Sequence, residues 1–245
     1  MIMLDGRNEE HRRIYERSAR LILLLALRDE MPGAKVRFEH SIGQGLYMTV
    51  QGADLTATRV RALEKRMHEI VRRDLPIKKV RWTREAAQAY FAQQGQDDTV
   101  RLLKYRPFDY FDVYTCDGLS EYFYGDMAAS TGEIASFALR FYYPGIVLLL
   151  PGEDLSGPPA PFVERTQLMR TYAHANEYSR ILECETAADL NDILPAAMHA
   201  RLSASMRRFM TGRSRISRSA LSPAARVSCL LPVRHQAVRR RLPTD

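Results

Sequence analysis

The spacing of apolar residues changes along the chain, and each change marks an element. From Glu9 to Glu30 it is helical: Ile14, Leu21, Leu24, Leu25 and Leu27 make a broad apolar face, and Met31-Pro32-Gly33 ends it. Lys35–Glu39 and Leu46–Val50 alternate as strands around the polar link Ser41–Gly45, whose glycines can take positive φ. Helical spacing returns from about Thr56 to Arg73. There Val60, Leu63, Met67, Ile70 and Val71 share one face, and Glu64, Lys65, Arg72 and Arg73 face water. Pro76–Trp82 alternates as a strand, and Thr83 reads as the N-cap of a helix through Gln94 that Gly95 stops. Thr99–Lys104 reads as a short helix or turn. Beyond Tyr110 the period is two. Tyr110–Cys116 and Leu119–Tyr124 form a hairpin across Asp117-Gly118, and Phe137–Tyr143 and Ile146–Leu150 flank Pro144-Gly145. Pro151–Pro161 is a Gly/Pro-rich link, Phe162–Leu182 is helical, and Ala187–Leu194 opens another helix. Strands that pair locally between helices predict an α+β fold of antiparallel sheets with packed helices.

Apolar residues make up 46% of the chain, enough for a sizeable core. No apolar run approaches the roughly 18–20 residues that span a bilayer. The run Leu21–Leu27 is short and flanked by Arg20 and Arg28, so it reads as a buried helix, and the acidic N-terminus lacks the apolar core of a signal peptide. Cys116, Cys184 and Cys229 are few and far apart, which points to a reducing cytoplasm and away from a disulfide scaffold or a cysteine-based zinc site. The net charge of +7 is unevenly placed. Residues 196–245 hold 11 Arg, no Lys and one acidic residue, Asp245, a charge of +10, while the rest holds 25 basic and 28 acidic side chains. Such a basic segment ordinarily points to nucleic acid or an acidic surface.

The chemistry-bearing residues are scattered. His40, between Glu39 and Ser41, reads either as a general base or as a polar cap of the turn. It has no placed partner, so the cap is the plainer reading. His11, His68 and His174 lie on helices without an i,i+4 histidine or a nearby cysteine, so no metal site is expected. Gly43-Gln44-Gly45 has half the glycines of a phosphate loop, but it leads into a strand, whereas a phosphate needs the N–H donors of a helix N-terminus. Tyr122, Phe123 and Tyr124 can stack a base or serve as strand core and rim, and Lys104, Tyr105 and Arg106 add positive charge nearby. Asp97-Asp98 reads as a solvated helix start. No catalytic, metal or cofactor-binding residue is assigned. The possible ligand-facing set is His40, Ser41, Gly43, Gly45, Tyr47, Tyr122 and Tyr124, for a nucleoside or RNA.

Several runs carry a resemblance. Ser18–Tyr47, Ala62–Glu69, Ile77–Trp82 and Phe91–Gly95 resemble the post-transfer editing domain of threonyl-tRNA synthetase over about residues 15–105. That domain carries a His-x-x-x-His pair on its first helix and a Cys and a His in a later motif. The matching places here are Arg17, Leu21, Phe123 and Met127, so the resemblance implies an editing-type fold without deacylase activity. Over about residues 10–195, Arg13–Ser18, Glu39–Tyr47, Asp98–Tyr105, Tyr122–Gly125, Ser130–Gly132 and Asp189–Asn191 resemble bacterial uridine-kinase-like nucleoside kinases. In these a degenerate editing-type domain precedes a P-loop kinase domain that uses ATP and magnesium. No P-loop motif follows here. Read in a shifted frame, Pro232–Arg241 is compatible with Gly-Pro-Ser-Ser-Ser-Gly-Lys-Thr-Thr, and Arg208–Ile216 with Leu-His-Asp-Arg-Lys-Ile-Ala. The resemblance therefore implies residues 1–195 as an editing-like domain with its C-terminal extension. Residues 196–245 become a tail out of frame, disordered or limited to isolated helical turns, with the frame lost near residues 194–200. The expected function is the non-catalytic front part of a cytoplasmic nucleoside kinase. The alternative is a stand-alone tRNA- or RNA-binding module with a genuine basic tail. Neither reading fixes an oligomeric state.

Overall fold

A computed structural model describes residues 6–105, 108–152 and 154–193. Its helices are α1 (Gly6–Glu30), α2 (Ala57–Arg72), α3 (Arg84–Gln93), α4 (Asp97–Lys104), α5 (Thr166–Ile181) and α6 (Ala187–Ile193). Its strands are β1 (Lys35–Ile42), β2 (Gly45–Gln51), β3 (Lys78–Thr83), β4 (Tyr110–Cys116), β5 (Leu119–Glu121), β6 (Ala138–Tyr142) and β7 (Gly145–Leu149). The chain divides between Thr171 and Tyr172 into two compact units. In the first, two antiparallel sheets form, in the orders β1-β2-β7-β6 and β3-β4-β5. The fold is α+β, as the alternation predicts.

The core of the first unit is built on α1. Leu21, Ile22, Leu23, Leu25, Ala26 and Leu27 are all buried. Successive buried residues point in several directions around a helix, so this stretch is enclosed except along the stripe that carries the half-buried Leu24. Two polar side chains on α1 are satisfied inside that core. The Tyr15 hydroxyl donates to the Ser136 carbonyl at 2.7 Å and accepts from the Ser136 N–H at 2.8 Å. The Ser18 hydroxyl donates to the Ile14 carbonyl and accepts from the Ala128 N–H at 2.9 Å. Helix α2 buries Val60, Leu63, Met67 and Ile70 against the same core, and the Thr56 hydroxyl caps it by accepting from the Arg59 N–H. Glu64 departs from the expected water-facing position. It is half-buried, and its carboxylate accepts from the Leu139 N–H at 3.1 Å on β6.

The larger sheet is covered on both faces. Leu46, Met48, Ile146 and Leu148 join the α1–α2 core, while Ile42, Tyr47, Val147 and Leu149 meet Phe162 and Met169 on the other side. This explains why β7 is buried at every position. The smaller sheet also serves two layers. Tyr114 and Cys116 face the main core, and Phe111 and Val113 pack with Ala87, Phe91 and Leu103 of α3 and α4. The Thr83 hydroxyl caps α3 by accepting from the Ala86 N–H.

Four local features differ from the sequence pattern. Strand β1 runs on to Ile42 through a bulge between Phe38 and His40. Strand β5 stops at Glu121, because the carboxylate of that residue takes the Tyr122 N–H at 3.0 Å and the chain then turns at Gly125. Helix α5 starts at Thr166, since Phe162 packs on the sheet. A 3-10 turn, Thr131–Glu133, is added. Thr131 is buried there, with its hydroxyl donating to the Ile70 carbonyl and accepting from the Leu75 N–H.

In the second unit, Thr186 and Asp189 cap α6 reciprocally. The Thr186 hydroxyl accepts from the Asp189 N–H at 3.2 Å, and the Asp189 carboxylate accepts from the Thr186 N–H at 2.8 Å. The expected tail, 196–245, and Arg106 lie outside the described residues. No helix among the described residues is long and apolar enough to cross a membrane.

Candidate functional site

Strands β1 and β5 are edge strands of different sheets. Both border a cleft of about 1050 Å³. Its floor is one stripe of α1: Arg17, Arg20, Leu24, Leu27 and Arg28, spaced three, four and one residues apart and so on one face. One wall is Lys35–Phe38 on β1. The opposite wall is Glu121–Tyr124, and the α3–α4 connection, Gln94–Thr99, closes the rim. Lys35 ties the rim to β1 by donating from Nζ to the Gly95 carbonyl at 2.9 Å.

Five cations and three carboxylates line the cleft. Most cations are committed. Arg17 pairs with Glu10 at 3.1 Å, Arg28 with Asp29 and Asp117, and Arg37 with Glu39 at 3.6 Å. Arg20 pairs with Glu16, and its guanidinium lies 5.0 Å from the Phe38 ring centroid. Its Nε is buried and meets no acceptor among the described residues. Across the cleft, Glu121 accepts from the Gln96 side-chain amide at 2.9 Å, and burial raises its pKa above the ordinary 4.5. Tyr122 stacks on Phe111 at 4.5 Å, and Tyr90 meets Trp82 edge-on at 5.1 Å while its hydroxyl accepts from the Ser120 N–H.

The residues singled out in the sequence fall in two places. Tyr122 and Tyr124 line the cleft, Tyr124 with 84% of its surface exposed. His40 and Tyr47 lie in the apolar layer with Phe162 and Met169. His40 Nε2 is 3.2 Å from the Met169 sulfur, and the His40 and Tyr47 rings are 5.3 Å apart. Burial lowers the His40 pKa and pushes the Tyr47 hydroxyl up to about 12. Ser41 and Gly43 are exposed in the turn, with Gly43 at φ +60°. Gly45 is packed so closely that an added Cβ would lie 2.6 Å from Val147 Cγ1. Arg20, Gln96 and Glu121 carry no local signal in the sequence. Gln96 meets Glu121 only through the tertiary fold, and Arg20 lines the same cleft from α1. Asp97 and Asp98, in the first turn of α4, also line the cleft.

Of the four places aligned with the editing domain, Arg17 and Phe123 line the cleft, whereas Leu21 and Met127 belong to the core beside it. Leu21 is fully buried, and Phe123 and Met127 pack against the same core. Arg17 donates to the Asp126 carbonyl at 2.7 Å. Its guanidinium lies flat under Gly125, which sits at φ +103° and whose added Cβ would stand 2.7 Å from it. Cys116 is buried, which raises its thiol to about 11 and keeps it in the unreactive form. Among the described residues no three His, Cys, Asp or Glu side chains are grouped to hold a metal ion.

No protein-family model matches the chain. The chain is similar to threonine–tRNA ligases. It is 27% identical to that of Symbiobacterium thermophilum over 183 residues, which is 74% of this chain and 26% of the ligase. The corresponding figures are 29% over 143 residues for Allorhizobium ampelinum (55% of this chain, 22% of the ligase) and 31% over 117 residues for Rhodopseudomonas palustris (47% and 18%). The chain therefore spans about a quarter or less of the length of these relatives.

Proposed function

We propose that the chain carries a threonyl-tRNA synthetase editing-like module that binds RNA and does not hydrolyse aminoacyl-tRNA. The observation that carries this reading is the set of side chains at the four aligned places. Hydrolysis needs a side chain that positions and activates water. At the four aligned places stand an arginine bonded to a backbone carbonyl and three apolar residues packed into the core. None of them can accept a proton. RNA binding draws on the five cations of the cleft and on the +10 charge of residues 196–245. The full chain should bind tRNA at about 50 mM salt and lose affinity steeply by about 200 mM. Replacing Arg239, Arg240 and Arg241 together with Gln should flatten the salt slope by roughly two to three units. Aminoacyl-tRNA should deacylate at its background rate. Absence of binding at the lower salt overturns the RNA part, and accelerated deacylation overturns the rest.

A second reading is favoured by the composition of residues 196–245, with 11 Arg and no Lys. Here the module is the front part of a cytoplasmic nucleoside kinase whose P-loop domain, with its ATP and magnesium, is encoded in another frame. The DNA across codons 190–245 decides it: an open shifted frame encoding Gly-x-x-x-x-Gly-Lys-Ser/Thr supports the kinase, and its absence removes it.

A further inference from the structure

We propose that the outer edge of β3 is a docking site for an extended acidic segment of another protein, which adds a fourth strand to the small sheet. Strand β3 is an edge of that sheet and pairs only with β4. The register fixes which peptide groups this leaves over. The Arg84 N–H donates to the Asp109 carbonyl at 3.0 Å on the β4 side, in line with the pairs from Lys78 opposite Thr115 to Thr83 opposite Tyr110. Peptide groups alternate sides along a strand. Those of Lys78, Val80 and Trp82 therefore face β4, and those of Lys79, Arg81 and Thr83 face away. The Ile77 N–H obeys the same alternation: it points away from β4 and donates to the Ala129 carbonyl at 2.9 Å. That bond, with the bridge from Pro76 to Ser130, covers the start of the edge. Beyond it no backbone group meets Lys79 or Arg81 among the described residues, and residues 78–81 are all exposed.

The side chains select the occupant. Lys79 and Arg81 share a face with Tyr110, Asp112 and Tyr114, and the other face carries Lys78, Val80 and the half-buried Trp82. Lys79 reaches Asp126 at 3.5 Å and Arg81 reaches Asp112 at 2.8 Å, but both pairs stand in solvent, where one carboxylate replaces another at little cost. Val80, 37% exposed, offers apolar surface beside them. A second copy laid antiparallel on this edge would set Lys79 opposite Arg81, and like charges directly opposite destabilise a sheet. Residues 196–245, with 11 Arg and one acidic residue, are excluded for the same reason. A phosphate backbone can accept from the outward N–H groups but has no donor for the outward carbonyls, whereas an added strand satisfies both. The occupant that fits is a strand with acidic residues opposite Lys79 and Arg81 and apolar residues opposite Val80 and Trp82.

The chain holds a single tryptophan, and Trp82 lies on this strand, so its fluorescence reports on occupancy of the edge in the full chain. The probe is the peptide acetyl-Gly-Val-Glu-Val-Glu-Val-Gly-amide. Paired antiparallel with its glutamates opposite Lys79 and Arg81, it aims the glutamate N–H groups at β3 and the valine N–H groups at solvent. N-methylation of both glutamates should weaken binding by about tenfold or more, and N-methylation of the central valine should change it by less than about twofold. Replacing both glutamates with lysine should abolish the signal. Arg81→Glu should reverse the preference, weakening the acidic peptide about tenfold and admitting the basic one. Arg81→Pro removes an outward N–H, which an edge strand tolerates, and should also weaken the peptide about tenfold. The changes made in the peptide keep the test valid if either variant misfolds. Equal effects of the glutamate and valine methylations overturn strand addition, and acidic-peptide binding that survives Arg81→Glu overturns the charge selection. Absence of any binding means that the cations only guard the edge against pairing, and the proposal falls. It falls equally if the chain self-associates through β3, or if oligouridylate changes the Trp82 signal and the peptide does not.

Discussion

At the scale of single residues, two carboxylates, Glu121 at the end of β5 and Asp29 near the end of α1, give opposite pH signatures. Burial raises the pKa of Glu121 above 4.5. Its contribution to stability is fully present below 4.5 and is lost as pH rises through the raised folded value. Asp29 is the reverse case. Burial alone would raise it, but hydrogen bonds from Arg66 at 2.7 Å and Arg28 at 3.0 Å, with their charges, outweigh burial and hold it below 3.8. Its contribution is present above 3.8 and is lost as pH falls through the lowered folded value. Thermal unfolding of the parent chain, Glu121→Gln and Asp29→Asn from about pH 3 to 8 checks both signs. The parent should lose ground against Glu121→Gln as pH rises, and against Asp29→Asn as pH falls below about 3.8. Parallel curves would refute the assignments. Neither behaviour is legible in the sequence. Glu121 reads as an ordinary strand residue, and its burial depends on Gln96, 25 positions away. Likewise His40 and Tyr47 sit beside each other in a suggestive turn, yet the pleat carries them to the sheet face away from the α1–α2 core.

At the scale of elements, local punctuation carried most of the information. The β4–β5 hairpin follows from Asp117-Gly118, both at positive φ (47° and 78°), as a two-residue turn of this kind requires. The Thr56 and Thr83 caps, and the Gly33 and Gly95 stops, place helix ends for similarly local reasons. The pairing of β2 with β7, Met48 opposite Ile146, has no such signal, because no turn joins them and only shared burial selects the register. Asp117 also links elements. Arg28 donates to its carbonyl at 2.6 Å and to its carboxylate at 3.2 Å, and Arg73 approaches the other carboxylate oxygen at 3.5 Å. Asp117→Ala should cost about 1–3 kcal/mol, the sum of a left-handed backbone penalty and two half-exposed ion pairs. Asp117→Gly removes the same charge but not the backbone freedom, so it should cost less. Urea denaturation of the two variants separates the terms. Equal losses would assign the whole effect to the ion pairs.

At the scale of the whole first unit, the cleft walls belong to different cores, and this makes their stabilities separable. The wall bearing Gln96 rests on the small core of Ala87, Phe91, Leu103, Phe111 and Val113, and the Gln96 N–H donates directly to the Phe91 carbonyl at 2.9 Å. The β1 wall and the α1 floor rest on the main core, in which Met48 is fully buried. Phe91→Ala empties the middle of the small core and should cost about 3–5 kcal/mol; Met48→Ala empties part of the main core and should cost about 2–5 kcal/mol. Similar losses should have different consequences for the cleft. Loss of Phe91 lets the α3–α4 connection shift, so Gln96 and Glu121 no longer meet even where the chain remains folded. Loss of Met48 leaves that connection seated, so the Gln96–Glu121 bond should hold until global unfolding. Hydrogen exchange supplies the structural readout: Phe91→Ala should raise exchange at residues 84–104 ahead of α1, and Met48→Ala should raise exchange in α1 and the large sheet together. Exchange that rises in both regions together in both variants would mean that the two cores unfold as one and that the walls of the cleft are not independently supported.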